Sequence, residues 1–174
     1  MQRLREAVTQ AVTHEMTGSM SMEAGRHEGA SIIIHDGRGS VLLFLRDNIP
    51  AIPYPGMWDL PGGHIEPGET PYECIVREMM EEIETDVGEC GLFRVYSFSD
   101  RREHVFMLQR ELRVRDTVLH EGQMLRWFTK SETEETALAY GFNRVLREWF
   151  EAVSGSFPDT AQRQQRPYIP YRPR

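Results

Sequence analysis

The longest apolar runs along the chain, Ser31–Ile34 and Val41–Leu45, are strand-sized. They predict strands over Ala30–His35 and Ser40–Arg46, joined by a hairpin turn at DGRG. Residues 47–57 carry three prolines and a glycine and predict a loop. A short extended piece, Trp58–Glu66, is interrupted by Pro61-Gly62-Gly63. Over Thr70–Glu84 the apolar side chains return at helical spacing, with Tyr72, Ile75, Val76, Met79 and Ile83 on one side. Thr70 suits the N-cap of this helix, Pro71 its first position, and Glu73 completes a capping box. Further strands are predicted at 90–98, 103–114 and 123–129. A short acidic helix follows at Ser131–Glu135, then an amphipathic one at Asn143–Val153 carrying Val145, Leu146, Trp149 and Phe150. Strands interleaved with two main helices imply an α/β sandwich with a mixed sheet.

The pattern changes at both ends. Residues 1–16 predict a short helix with Leu4, Val8 and Val12 on one side, and 17–29 read as a Gly/Ser/Met-rich linker. After Ser154 the chain turns rich in Pro, Gln and Arg, including Arg163, Arg166, Arg172 and Arg174. The expected organisation is a segment over 1–27, one folded domain over 28–153 and a tail over 154–174. The length of 174 residues suffices for one domain with a sizeable core.

Charge narrows the classes of function. With 20 basic and 27 acidic residues the net charge is -7, which argues against a general nucleic-acid binder. A small phosphorylated substrate is still compatible, because a bound metal reverses the local sign. Lys130 is the single lysine; the other basic residues are Arg, which suits phosphate recognition. No stretch approaches the length of a membrane span, and the N-terminus has no signal-peptide core. Cys74 and Cys90 lack metal spacing and read as reduced thiols of a cytoplasmic protein.

The chemistry concentrates between Gly62 and Thr85. On a helical wheel with Tyr72 at zero, the apolar positions fill an arc of roughly 100°. Glu81, Glu78 and Glu82 fall at about 180°, 240° and 280°, a carboxylate stripe beside the buried edge. Glu78 and Glu82 lie one turn apart and repel. A solvated acidic face is one reading. The other is a site for divalent cations, since hard oxygen ligands suit Mg2+ or Mn2+ with substrate phosphate. Arg77 lies near enough to hold a glutamate in place. Pro61-Gly62-Gly63 brings backbone groups close without side chains, and Gly68-Glu69 turns the chain into the helix.

These residues resemble a known family. Gly63, five residues, Glu69, seven residues, then Arg77-Glu78-Met79-x-Glu81-Glu82 is similar to the signature of the Nudix hydrolases, and WDLPGG is similar to the strand that leads into it. The resemblance covers about residues 28–153. It implies a Nudix-type α/β/α sandwich and hydrolysis of a nucleoside diphosphate linked to another group, X. It implies Mg2+ as cofactor, with Mn2+ able to substitute. Glu78 and Glu82 would bind metal directly, Glu81 directly or through water, and the Gly62 carbonyl would add a ligand. Arg77 would orient a carboxylate and Glu69 would support the site. Homodimers are common in the family. The chain departs from the pattern at Glu84 and Thr85, where the family has Gly and an aliphatic residue. That glycine normally ends the helix, so Glu84 puts the terminus in question, with Gly88 as an alternative stop.

Outside the signature, each residue has a functional and a structural reading. Arg46 is similar in place to an arginine that meets phosphate in the MutT-like branch, or it simply ends a strand. Glu121, in Glu121-Gly122-Gln123, resembles the loop that supplies a further carboxylate ligand, or forms a hairpin turn. Asn143 could read a base edge, or cap the last helix. Trp58, Tyr54, Phe98 and Phe106 could stack on a base, or pack in the core. His64, His104 and His120 read as non-ligands. A nucleoside triphosphate is the favoured substrate: the proline linked to ADP-ribose hydrolysis would fall near Asp100, and the tyrosine linked to dinucleoside polyphosphates near Arg102. Nucleotide sugars or ADP-ribose, and a non-catalytic nucleotide-binding module, are the alternatives. Neither a membrane nor a specific nucleic acid is expected as partner.

Overall fold

The computed structural model describes residues 27–155. The expected N-terminal helix and most of the linker, and the tail beyond Gly155, lie outside the described residues. The order is β1 (His27–His35), β2 (Ser40–Leu45), β3 (Trp58–Asp59), β4 (Gly62–His64), α1 (Pro71–Ile83), β5 (Gly91–Ser97), β6 (Arg101–Gln109), β7 (Met124–Thr129), α2 (Lys130–Glu135) and α3 (Phe142–Ala152).

One mixed sheet organises the described residues. β1 runs parallel to β6 along its whole length, from His27 beside Arg101 to His35 beside Gln109. The other pairings are antiparallel, β5 with β6 and β7 with β2. The second edge of β1 is shared: β2 meets it at His35, whereas β4 pairs with Gly29–Ser31. The segment Trp58–His64 therefore leaves β2, which pairs with β3, and crosses to β1. Gly62 and Asp59 sit at this split in the sheet.

Both faces of the sheet are covered, which explains why β1 and β2 are apolar without alternation. Ala30, Ile32, Ile34, Leu42 and Phe44 pack with Cys74, Ile75, Met79 and Ile83 of α1. Ile33, Val41 and Leu43 pack on the other side with Val145, Leu146, Trp149 and Phe150 of α3. This is the α/β/α sandwich expected from the sequence.

The start of α1 follows its sequence signals. Thr70 Oγ1 accepts from the Glu73 amide at 3.2 Å, and Glu73 Oε2 accepts from the Thr70 amide at 2.8 Å. The end differs. The helix stops at Ile83 because Glu84 itself adopts the left-handed conformation, φ 49° and ψ 39°, and Gly88 plays no part in termination. A residue with a Cβ costs about 1 kcal/mol there relative to glycine. The strand expected over 103–114 starts at Arg101 and stops at Gln109. Its partner β1 ends at His35, whose carbonyl accepts the Arg110 amide at 2.9 Å, and among the described residues no strand lies beyond to pair with. Leu112 and Val114 instead pack against the α1-side core.

Candidate metal and catalytic site

Gly68, at φ 87°, turns the chain into the N-terminus of α1 and leaves Glu69 facing back along the helix. There Glu69 accepts a fork from Arg77, Nε to Oε1 at 2.8 Å and an Nη to Oε2 at 3.0 Å. The other Nη of Arg77 donates to Glu78 at 2.9 Å and to Glu81 at 3.1 Å. One guanidinium thus bridges three of the expected carboxylates. A further bond, to the His64 carbonyl at 3.2 Å, ties the cluster to the end of β4. The fork holds the Glu69 carboxyl down to about 2, with the hydrogen bonds from Arg77 as the main cause.

The glycine pair makes room for the helix stripe. A Cβ on Gly63 would come within 2.2 Å of Oε1 of Glu78. A Cβ on Gly62 would come within 2.1 Å of the Ala30 carbonyl oxygen, so the tight pairing of β4 on β1 also requires glycine. Glu82 lies beneath this corner, 7% exposed, and the Gly62 amide donates to its Oε2 at 3.3 Å. Burial, then repulsion from Glu78 and Glu121, pushes the Glu82 carboxyl up to about 8. Glu78 is raised as well, mainly by burial and against the pull of Arg77. Glu81 is the open member, its side chain 62% exposed.

The loop before β7 approaches from the other side. The His120 amide donates to the Glu82 carbonyl at 2.8 Å, which brings Glu121 into electrostatic range of both Glu78 and Glu82. Glu69, Arg77, Glu78, Glu81, Glu82, Gly62 and Glu121 are therefore gathered in one place. Among the described residues, no three acidic, His or Cys side chains already converge as a closed ligand set. Arg77 instead engages one oxygen each of Glu78 and Glu81.

The donors nevertheless fit a hard divalent cation. They are carboxylates, crowded with like charge, and Glu82 is buried without a cationic partner among the described residues. A cation would relieve that repulsion. Cys74 lies below, its thiol donating to the His64 carbonyl at 3.3 Å. Burial, reinforced by Glu69 and Glu78, pushes that thiol up to about 12, so it does not compete as a thiolate ligand.

The flanking expectations divide. Arg46 lies near the split in the sheet, but its guanidinium is held by Asp59 at 2.9 Å and by the Pro53 carbonyl at 3.0 Å, with the Tyr140 ring 5.1 Å away. Asn143 neither caps α3 nor presents a free amide. Gly141 is the N-cap, and Asn143 lies inside the helix. Its Oδ1 accepts from the Leu138 amide at 2.9 Å, and its Nδ2 donates to the Thr133 and Thr136 carbonyls at 2.9 and 2.7 Å. The substrate reading of Asn143 is corrected accordingly, because the fold uses the amide to hold the loop between α2 and α3. Phe106 and Trp58 pack with the cores, and Phe98 lies 4.0 Å beneath the Arg101 guanidinium. Tyr54 is the expected stacking residue that reaches the surface, its ring 4.6 Å from that of Tyr140.

Four residues near the site had no functional reading in the sequence. Asp59 is 2% exposed and burial pushes it up to about 7, against the pull of Arg46. Glu103 is equally buried, accepting from Ser31 Oγ at 2.5 Å and from Arg101 Nε at 2.9 Å. Arg101 and Tyr140 complete the group, the guanidinium donating to the Tyr140 carbonyl at 2.8 Å. Asp59 was visible within WDLPGG; the others meet only through the β1–β6 pairing and the turn before α3.

A profile described as NUDIX domain matches residues 25–151. An 8-oxo-dGTP diphosphatase of Proteus vulgaris is 44% identical over 48 residues, 26% of this chain and 43% of that protein. An RNA pyrophosphohydrolase of Helicobacter pylori (strain P12) is 38% identical over 55 residues, 29% of this chain and 36% of that protein. The chain spans half or less of the length of the curated relatives it matches. Among solved structures, a MutT protein from Methanosarcina mazei Go1 superposes with a TM-score of 0.57 at 21% identity, over 77% of this chain and 99% of that one. That likeness is one of fold. With the profile extending over most of the chain, the chain belongs to the NUDIX family.

Proposed function

We propose that this chain is a Mg2+-dependent pyrophosphohydrolase that cleaves a nucleoside diphosphate linked to X, with a nucleoside triphosphate as its main substrate. The observation that carries this reading is the Arg77-centred cluster of Glu69, Glu78 and Glu81 beside the buried Glu82. Enzymes of the family generally depend on a divalent metal. Glu78, Glu82, Glu81, Glu121 and the Gly62 carbonyl are the groups proposed to hold Mg2+, or Mn2+ in its place. When bound, the metal would supply charge stabilisation at the phosphates and activate water.

The remaining work falls to the chain. Arg77 keeps the carboxylates from splaying and is itself anchored by Glu69. A glutamate of this cluster takes the proton of the attacking water. It must be ionised to do so, and because neighbouring carboxylates titrate as a group, the cluster acts as the base. Arg46, beside Tyr140 and bonded to Asp59, is the arginine proposed to meet phosphate. The name of the Proteus vulgaris relative makes an oxidised purine triphosphate the first candidate substrate.

The test is phosphate and pyrophosphate release across ordinary and oxidised (d)NTPs, ADP-ribose, nucleotide sugars and dinucleoside polyphosphates, with Mg2+ or with EDTA. Metal-dependent release of pyrophosphate from a triphosphate supports the reading. Turnover confined to nucleotide sugars or ADP-ribose replaces its substrate. Nucleotide binding without any turnover replaces the enzyme with a binding module.

A further inference from the structure

Glu84 occupies a backbone conformation that glycine adopts without strain, yet it carries a side chain with a partner. Its Oε1 lies 2.8 Å from Nε2 of His120. The backbone amide of the same histidine donates to the Glu82 carbonyl at 2.8 Å, filling an acceptor that the end of α1 otherwise leaves open. Two bonds from one residue thus fasten the loop before β7 to the last turn of the helix.

The other side of that loop is fastened to the end of β2. The Gln123 amide donates to the Leu45 carbonyl at 2.7 Å, and Gln123 Nε2 donates to the Arg46 carbonyl at 2.7 Å. Gly122, at φ 82°, has no room for a Cβ against the Leu45 carbonyl, 2.7 Å away. Glu121 stands between these two anchorages. It is the loop residue whose charge bears on Glu78 and Glu82.

We propose that Glu84 and His120 form a latch that positions Glu121 against α1. Neither is a catalytic residue; both act through Glu121. The same left-handed cap that ends the helix then also directs a carboxylate to the loop. The effect on metal affinity rests on the proposed function, whereas the latch itself does not.

The experiment compares wild type with Glu84→Gly, Glu84→Gln and His120→Ala in two measurements. The first is amide hydrogen exchange over residues 117–123 in EDTA, which needs neither metal nor turnover. The second is the Mn2+ dissociation constant by electron paramagnetic resonance. Glu84→Gly and His120→Ala should speed exchange in this segment about threefold to fivefold, the range of a single exposed pair. Exchange along the first turns of α1 should not change. Mn2+ affinity should fall with the exchange, and Glu84→Gln, which can still bond the imidazole, should restore both. In a Glu121→Gln background, Glu84→Gly should leave Mn2+ affinity unaltered. Unchanged exchange in Glu84→Gly and His120→Ala overturns the latch, whatever the turnover. A wild type that binds no Mn2+ overturns the proposed function instead, and exchange alone then decides the latch.

Discussion

Arg77 Nε and one Nη grip both oxygens of Glu69, at 2.8 and 3.0 Å, across the first two turns of α1. This planar fork leaves the second Nη directed at Glu78 and Glu81. The arrangement uses a geometry that lysine does not have. Arg77→Lys should therefore keep the charge and still lower turnover about 10- to 100-fold, as loss of a group that orients ligands does. Steady-state kinetics at saturating Mg2+, with circular dichroism to verify folding, checks this.

Acid stability should report the same fork. Glu69 is held near 2 against an ordinary value of 4.5. Its contribution is complete above the ordinary value and is lost as pH falls through the folded one. Urea midpoints measured from pH 5 down to pH 2 should fall more steeply for wild type than for Glu69→Gln.

Glu82 and Asp59 predict an opposite dependence in the metal-free protein. Both are raised by burial, to about 8 and about 7. The folded state then binds protons that the unfolded state has released, so stability falls as pH rises from about 4.5 to about 8. Melting in EDTA across this window should show the decline. Glu82→Gln should flatten the decline up to about pH 8, and Asp59→Asn should flatten it only up to about pH 7.

The two glycines of the corner should separate stability from binding. Gly62→Ala sets a Cβ against a backbone carbonyl and at φ 140°, and should cost at least about 2 kcal/mol of stability. Gly63→Ala sets it against the movable carboxylate of Glu78. That variant should melt close to wild type and bind Mn2+ more weakly. Chemical denaturation and Mn2+ titration of the pair distinguish the two outcomes.

Much of the site was legible because it lies on one helix. Spacing alone places Glu78, Glu81 and Glu82 on a stripe, and Thr70, Pro71 and Glu73 mark where that helix begins. The strands expected at Ala30–His35 and Ser40–Arg46 were equally local, but β2 meets β1 only at His35 and pairs along its length with the distant β7. The misses have a common cause in long-range pairing. β6 stops at Gln109 because β1 stops at His35, which no local pattern in 103–114 reveals. Asn143 reads as a cap by residue type, but a loop folded back from Thr133 captures its amide. Glu103 is buried by Ser31 and Arg101, and Ser31 lies on the neighbouring parallel strand β1. At Glu84 the sequence placed the terminus in question, and the structure ends the helix there in the left-handed conformation, while the His120 partner lies in a distant loop.

The most direct test of the central claim is Mg2+-dependent pyrophosphate release from the best nucleoside triphosphate of the panel, compared between wild type and Glu82→Gln. The substitution keeps size and removes a carboxyl whose ionisation burial disfavours, so the variant should fold and melt no lower than wild type in EDTA. Its turnover should fall by more than about 100-fold, beyond the loss typical of an outer positioning group. Wild-type turnover retained by a folded Glu82→Gln would contradict the assignment of the α1 carboxylate cluster as the metal-dependent catalytic centre.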